Sequence, residues 1–313
     1  MIFEPALAEH LKKAIPAGQD SAFLRPVLAA LAESTVEIWE RLSAFTAIPA
    51  AETGRNNFGE MTKGVDVFAR DSLASHLQPF AIQVALATEE DVNTSYPASA
   101  SHVVFADPID GSNHVSYQSS CGTFLSVVPL AGPLARQPAV SGYALYGYQL
   151  VLVLAVGDEL VVTVYDRSMQ AFRITHQNYQ IPPQGKIYSL NDADNNGFPE
   201  SVRAHVEDVK AKGYKARYNG VLVADLHRIV MEGGIFVSPR LQSGKVKTKK
   251  YFEAVAAAHI FSAGGGRSVY NYEISDGTLT SGQSAELFSA VPLVCGSKGD
   301  VTSYIAATGG TQS

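Results

Sequence analysis

Cysteine, tryptophan and basic charge are all scarce in this chain, and each shortage excludes a class of protein. Its 313 residues include 2 cysteines, Cys121 and Cys295, too few for a disulfide framework and without metal-ligand spacing. A reducing compartment fits that usage. Net charge is −6, which argues against nucleic acid as a partner. No apolar run approaches the roughly 20 residues that span a bilayer, so no membrane partner is expected. The segment 1–16 mixes Glu4, Glu9, Lys12 and Lys13 with apolar residues, so no signal-peptide core is read there. Gly-rich nucleotide loops, internal repeats and low-complexity tracts do not stand out. What remains is ordinary for a globular enzyme, with 46% hydrophobic and 17% charged residues. The length suits two modest domains or one large layered one.

What is present converges on one stretch. Val103-Val104-Phe105-Ala106-Asp107-Pro108-Ile109-Asp110-Gly111-Ser112-Asn113 begins with the β-branched and aromatic residues of a buried strand. Pro108 fixes its own φ and pushes Asp107 towards an extended backbone, so the strand is expected to stop and turn there. Asp107 and Asp110 could face one divalent cation across that turn, while the Gly111 amide and its neighbours could cradle an anion. The competing reading is an Asx-type turn whose acids bond only backbone amides. Acids arriving on both sides weigh against it. Upstream, Glu89-Glu90-Asp91 follows the apolar run 81–86. Adjacent carboxylates at a strand end point to opposite sides, so one can bind metal while the other handles a proton. Alone, such a triplet reads as a solvated loop.

As an ordered set, Glu89-Glu90 and then Asp107-Pro108-Ile109-Asp110-Gly111-Ser112 resemble the metal-dependent, lithium-sensitive phosphatase superfamily. Gly142-Tyr143-Ala144-Leu145-Tyr146-Gly147, Ala216-Arg217-Tyr218, Val223-Ala224-Asp225-Leu226-His227-Arg228 and Gly233-Gly234-Ile235-Phe236 narrow the resemblance. Over about residues 59–302 the chain is similar to fructose-1,6-bisphosphatase and its relative sedoheptulose-1,7-bisphosphatase. Inositol monophosphatases share the first acids but close their site with a later Trp-Asp pair. Here the single tryptophan, Trp39, precedes Glu40 and lies upstream of the motif.

The resemblance implies a layered α/β/α/β/α fold and a sugar-bisphosphate 1-phosphatase, working as a homodimer or homotetramer. It implies that Glu89, Asp107, Asp110 and Glu253, with the Ile109 carbonyl, ligate two or three ions per site. Oxygen ligands of this kind suit magnesium or manganese rather than zinc. Glu60 falls where the family places a loop ligand, usually aspartate. Glu90, helped by Asp66, is implied to orient and deprotonate the attacking water. The amides of Gly111 and Ser112, with Asn113, are implied to hold the scissile phosphate. Arg217 and Tyr218 would meet the distal phosphate, either within the chain or from a neighbouring subunit, with Asn191 and Leu222 also among the substrate-binding residues.

A basic run precedes Glu253. Alternation puts Lys245, Lys247 and Lys249 on one side of an extended segment, which suits a twice-phosphorylated substrate. A solvated basic face is the plain alternative. The resemblance makes Lys247 the sugar contact and puts Lys249 where an arginine is usual, replacing a forked grip by a point charge. It also puts Asp194 and Ser238 where two tyrosines are usual. Losing both rings is expected to open room for one more carbon. Sedoheptulose-1,7-bisphosphate is therefore the favoured substrate and fructose-1,6-bisphosphate the alternative. A regulatory relative that binds sugar phosphates without turnover is the rival of another kind, and the complete acid set argues against it. The segment 16–20 lacks the family's AMP-seating helix start, and Ser101 and Pro129 stand where cations are expected, so AMP is expected to regulate weakly. The cysteines do not match the regulatory pair of plastid enzymes. A cytoplasmic location is expected, with a plastid one after transit-peptide removal as the alternative.

Two units are expected, 1–185 with the metal-binding acids and 186–313 with the substrate contacts, divided at the polar segment 177–185 around Pro182-Pro183. The patterns predict one helix or two over 21–45 with Pro26 in a first turn, a polar loop over 51–64, and helices over 67–78, 200–212, 221–232, 254–263 and 300–307. Strands are predicted over 121–128, 140–156, 159–165, 186–191 and 291–295, with turns at 157–158 and a polar loop at 192–199.

Overall fold

A computed structural model describes residues 1–15, 21–45, 52–56, 58–91, 97–131, 137–270 and 287–309. A short hairpin of β1 (Glu52–Arg55) and β2 (Met61–Lys63) precedes a seven-stranded sheet. That sheet runs in sequence order through β3 (Val84–Thr88), β4 (His102–Asp110), β5 (Cys121–Pro129), β6 (Val140–Tyr146), β7 (Leu150–Val156), β8 (Glu159–Asp166) and β9 (Ala171–His176). Only β3 and β4 are parallel; each later pair is antiparallel. A five-stranded sheet follows, ordered β11 (Lys215–Ala216), β10 (Ile187–Ser189), β12 (Ile235–Ser238), β16 (Leu293–Gly296) and β14 (Arg267–Ser268). Between its strands, β13 (Thr248–Lys249) and β15 (Ala290–Val291) pair with each other.

The helices form three layers around these sheets. On the outer face of the large sheet lie α1 (Pro5–Ala14), α2 (Ser21–Phe45) and α3 (Gly64–Leu77). Leu24, Val27, Leu28 and Leu31 recur at helical spacing and form the buried stripe of α2. After a single helical turn, α4 (Ser112–Val115), come α5 (Glu200–Ala211), α6 (Leu222–Glu232), α7 (Val255–Ala263) and α8 (Lys298–Thr308). Between the sheets, Leu226 and Ile229 of α6 and Ile260 and Phe261 of α7 share one core with Phe124, Tyr143, Phe236 and Leu293. Val202, Val206 and Tyr304, from α5 and α8, cover the far face of the small sheet. The architecture is the expected α/β/α/β/α. It explains why all nine residues of β5 are buried, since helices cover both faces. It also explains why α7 is apolar almost all round: Ala256, Ala257 and Ala258 let it sit close between two sheets.

Several predicted elements differ. The polar stretch 51–64 is not a loop but contains the β1–β2 hairpin, which carries no apolar alternation to announce it. The strand expected to stop at Asp107 runs on to Asp110, with a register shift between the two acids. Pro108 is tolerated there because β3 pairs with β4 only as far as Ala106, so its missing N–H deprives no neighbour. The single strand predicted over 140–156 is β6 and β7, and β9 was not predicted. Pro26 stands inside α2 rather than in its first turn. The stretch 192–199 holds a short 3₁₀ helix, Asp192–Gly197, and a π-helical turn, Lys250–Ala254, precedes α7. The segment 16–20, on which part of the AMP expectation rests, and Asn57 of the predicted polar loop lie outside the described residues.

Phe105 ties β4 to the turn that carries Glu253. Its fully buried ring stacks on Tyr251 at 5.3 Å between centroids and meets Phe252 edge-on at 6.4 Å. Phe105→Ala is expected to destabilise the fold by about 3–5 kcal/mol, read as a lowered urea midpoint; an unchanged midpoint would show that this packing carries no weight.

Candidate active site

Five pieces of chain meet at a cavity of about 580 Å³: the hairpin, the start of α3, the ends of β3 and β4, and the π-helical turn before α7. Glu60, Asp66, Glu89, Glu90, Asp107, Ile109, Asp110, Gly111, Ser112, Asn113, Lys247, Lys249 and Glu253 all line it. Parallel pairing of β3 with β4 is what puts Glu89 and Glu90 beside Asp107, because Thr88 stands opposite Ala106.

Each acid is held from a different direction. Asp110 accepts a 2.6 Å hydrogen bond from the Val223 N–H, so it caps the start of α6. Glu253 accepts the Lys249 N–H at 2.6 Å across the π-helical turn, a local distortion frequent at functional sites. Asp66 accepts the Lys63 N–H at 2.7 Å in the first turn of α3. The Thr62 hydroxyl of β2 donates to Glu90. At Gly111, φ is +81° and a Cβ would fall 2.6 Å from Val221 Cγ2, so only glycine lets the chain leave β4 against the α6 start.

The charges are mostly of one sign. Burial, then the neighbouring Glu89 and Asp110, pushes the Asp107 carboxyl well above its usual range despite Lys249. Burial likewise raises Glu89 to about 8, Glu253 to about 7, and Asp110 and Asp66 to about 6. Lys249 Nζ lies 2.7 Å from Glu89 Oε2 and 2.9 Å from Glu60 Oε2, the first contact an ion pair without hydrogen-bond alignment. Burial opposes the ammonium charge, yet Glu89, Glu253, Asp107 and Glu60 hold its pKa well above the usual lysine range. One lysine cannot satisfy every acid. Both Asp107 oxygens are buried with no hydrogen-bond partner among the described residues. Ligand atoms of Asp107, Asp110 and Glu253 lie within 4.8 Å of one another. Unpartnered carboxylate oxygens converging at that spacing fit a hard divalent cation.

Other expected contacts do not reach this cavity. Arg217 is exposed, donates to the Ala216 carbonyl at 2.8 Å, and lines a separate cavity with Tyr218 and Arg228. Leu222 does not line the carboxylate cavity, although its N–H helps hold the Asp110 carboxyl down against burial. Asn191 and Tyr218 line a smaller cavity, about 40 Å³, together with Asp194, Ser238 and Lys247. Where the lost tyrosines are expected to leave room, this cavity is small. Asp194 folds towards Lys247 and Asn191 instead, and Phe198, Phe236 and Leu241 also line the space. Lys245 lines neither cavity, so the lysine alternation brings together two of its three members.

Three contributors were missed by the sequence reading. Lys63 donates to Ser112 Oγ at 3.3 Å and to Asn113, holding the turn after β4. Thr62 positions Glu90, as above. Asn56 closes the hairpin by accepting the Phe58 and Glu60 N–H groups at 3.1 and 3.0 Å. Reading 61–63 as a strand rather than a loop would have placed Thr62 and Lys63 on opposite faces, one towards each partner.

Similarity to known proteins agrees with this geometry. Residues 8–177 match the family model "Fructose-1-6-bisphosphatase, N-terminal domain" and residues 181–309 match its C-terminal counterpart. The chain belongs to the fructose-1,6-bisphosphatase family. A Sorangium cellulosum protein named fructose-1,6-bisphosphatase class 1 is 34% identical over 275 residues, 80% of this chain and 78% of its own. A Nostoc punctiforme protein of the same name is 32% identical over 267 residues, 80% of this chain and 75% of its own. The fold is shared with Leishmania major fructose-1,6-bisphosphatase. Its holo form gives a TM-score of 0.83 at 23% identity, covering 96% of this chain and 98% of that one. Its T-state form gives 0.80 at 22%, covering 96% and 97%. Membership makes the chain a metal-dependent phosphoric monoester hydrolase of the sugar-bisphosphate type. The relatives are named for the six-carbon substrate, so the alternative drawn from the sequence fits better than the favoured seven-carbon sugar.

The raised carboxylates carry a pH signature. In the unfolded chain they lose protons near pH 4, whereas in the fold Asp66, Asp110, Glu253 and Glu89 do so between about 6 and about 8. Their contribution to stability is thus full below about pH 4 and lost as pH rises from there through the folded values. Without divalent cation the melting temperature should fall from about pH 5.5 to about pH 8.5, and magnesium should remove most of the fall. A metal-free melting temperature that rises across that window would contradict the arrangement.

Proposed function

We propose that the chain hydrolyses the 1-phosphate of fructose 1,6-bisphosphate, with magnesium or manganese as the working ions, two or three per site. The observation that carries this reading is the convergence of Glu89, Glu90, Asp107, Asp110 and Glu253 on one cavity that also holds Lys247 and Lys249. The names of the relatives support the six-carbon sugar, as does the small space beside Lys247. We read 1–185 and 186–313 as the two units of the chain; the acids come mainly from the first and Glu253 from the second.

Glu89, Asp107, Asp110 and Glu253 would hold the ions, with the Ile109 carbonyl and Glu60 adding oxygens. Bound there, the ions supply Lewis-acid neutralisation of the phosphoryl oxygens and lower the pKa of water. The remaining work belongs to the chain. Glu90, fixed by the Thr62 hydroxyl, takes the proton of the attacking water as general base. Asp66, across the cavity, helps orient that water. Gly111 and Ser112 present N–H groups to the scissile phosphate at the start of α4, and Lys63 steadies Ser112 and Asn113. Lys247 reaches the sugar. Arg217, exposed and apart from this cavity, is suited to a neighbouring subunit's site, which supports a homodimer or homotetramer.

The test is phosphate release from fructose 1,6-bisphosphate with and without magnesium. Asp107→Asn or Asp110→Asn should abolish turnover, since a lost ligand charge weakens both actions of the ions. Glu90→Gln should keep KM and lower kcat by about 10²–10⁴-fold; a raised KM with kcat preserved would make Glu90 a binding residue. Full activity in excess chelator would refute the metal role. The seven-carbon bisphosphate should be the poorer substrate by kcat/KM, and a better rate on it would reinstate the longer sugar. A relative that binds without turnover would release no phosphate from either.

A further inference from the structure

Lys247 stands where the carboxylate cavity meets the smaller one, and lines both. A sugar with its 1-phosphate among the acids and in contact with Lys247 would bring its far end towards Asp194, which shares the smaller cavity with Lys247. That carboxylate is already engaged. Asp194 Oδ2 accepts a 3.0 Å hydrogen bond from Asn191 Nδ2 and another from the Lys247 ammonium. The Asp194 side chain is 25% exposed against 41% for Lys247, so the acid is the inner partner of the pair. Two donors suited to a sugar phosphate are therefore held by a group of the same charge as the substrate.

We propose that Asp194 is a specificity-determining residue that sets the preference between sugars ending in a phosphate and sugars ending in a hydroxyl. The inference rests on the sugar-phosphatase reading above. A far-end hydroxyl can donate to Asp194 with the Lys247 pair intact. A far-end phosphate meets like charge at short range and must draw Lys247 away from its partner. A lysine is a single point charge, so it cannot grip both anions as a guanidinium fork could. A partly exposed ion pair of this kind adds little to folding. Its consequence therefore falls on substrate choice rather than on stability.

Asp194→Asn removes the charge while keeping the shape and the Asn191 contact; Asp194→Ala removes both. Each is assayed for phosphate release with fructose 1,6-bisphosphate and with fructose 1-phosphate, kcat and KM being read separately. Asp194→Asn is expected to lower KM for the bisphosphate about tenfold and to leave KM for the monophosphate equal or higher, shifting the kcat/KM ratio towards the bisphosphate by about tenfold or more. The shift should fall on KM rather than kcat and shrink at high salt. A ratio unchanged in both variants would overturn the proposal. So would a higher KM for the bisphosphate in Asp194→Asn, which would make Asp194 a support for Lys247 rather than its competitor. If the wild-type protein hydrolyses neither sugar, the phosphatase reading fails. Calorimetric titration with the same two sugars then still reads the ratio of dissociation constants, and a ratio indifferent to Asp194, or no binding of either sugar, overturns the proposal.

Discussion

Like charges crowded into a buried space are the constraint on which the rest of this structure depends. Glu89, Asp107 and Glu253 are all buried, Asp110 adjoins them, and one lysine stands among them. Such an arrangement is costly without cations, so the surrounding fold must hold the acids against their own repulsion. It does so with rigid elements. Two of the acids sit on β4, which has neighbours on both sides over most of its length, one follows β3, and one is pinned across a π-helical turn packed on Phe105. The fold itself thereby holds the acids in place.

The layered scaffold makes this placement affordable. Helices on both faces of the large sheet shield β4 and β5 from water, so the chain can end a fully buried strand on two carboxylates without exposing its core. The N-terminus of α6 then receives Asp110, linking the acids to the helix that supports the small sheet. Asn56, Glu60, Met61 and Lys63 of the β1–β2 hairpin line one part of the cavity. The hairpin's polar contacts run from Glu60 to Lys249, Thr62 to Glu90 and Lys63 to Asn113, and Phe58 of its turn packs edge-on against Phe252 and Phe288.

The space beyond Lys247 is built differently from the space around the acids. Around the acids, charge of one sign is concentrated to recruit cations. Beyond Lys247 the charges are paired, Asp194 with Lys247 and with Asn191, and apolar rings leave little space. Among the described residues, Lys247 lines both cavities.

Much was legible in the chain itself. Glu89-Glu90, Asp107 and Asp110 read as metal chemistry because carboxylates at strand ends, followed by Gly-Ser-Asn, have few structural reasons to cluster. Helical spacing in Leu24, Val27, Leu28 and Leu31, and glycines after Glu232 and Ala263, marked α2, α6 and α7. Local periodicity and local backbone limits carry such information without reference to distant residues. What only the tertiary structure decided depends on neighbours far along the chain. Pro108 sits within a strand because β3 ends at its partner Ala106. The hairpin at Thr62 is held by Glu90 and Lys63 by Asn113, contacts that no periodicity encodes. Arg217 and Asp194 likewise read alike as substrate-facing positions, yet one lies at a separate cavity and the other binds Lys247. A residue's type limits what it can bond; only the packed fold determines which partner it meets.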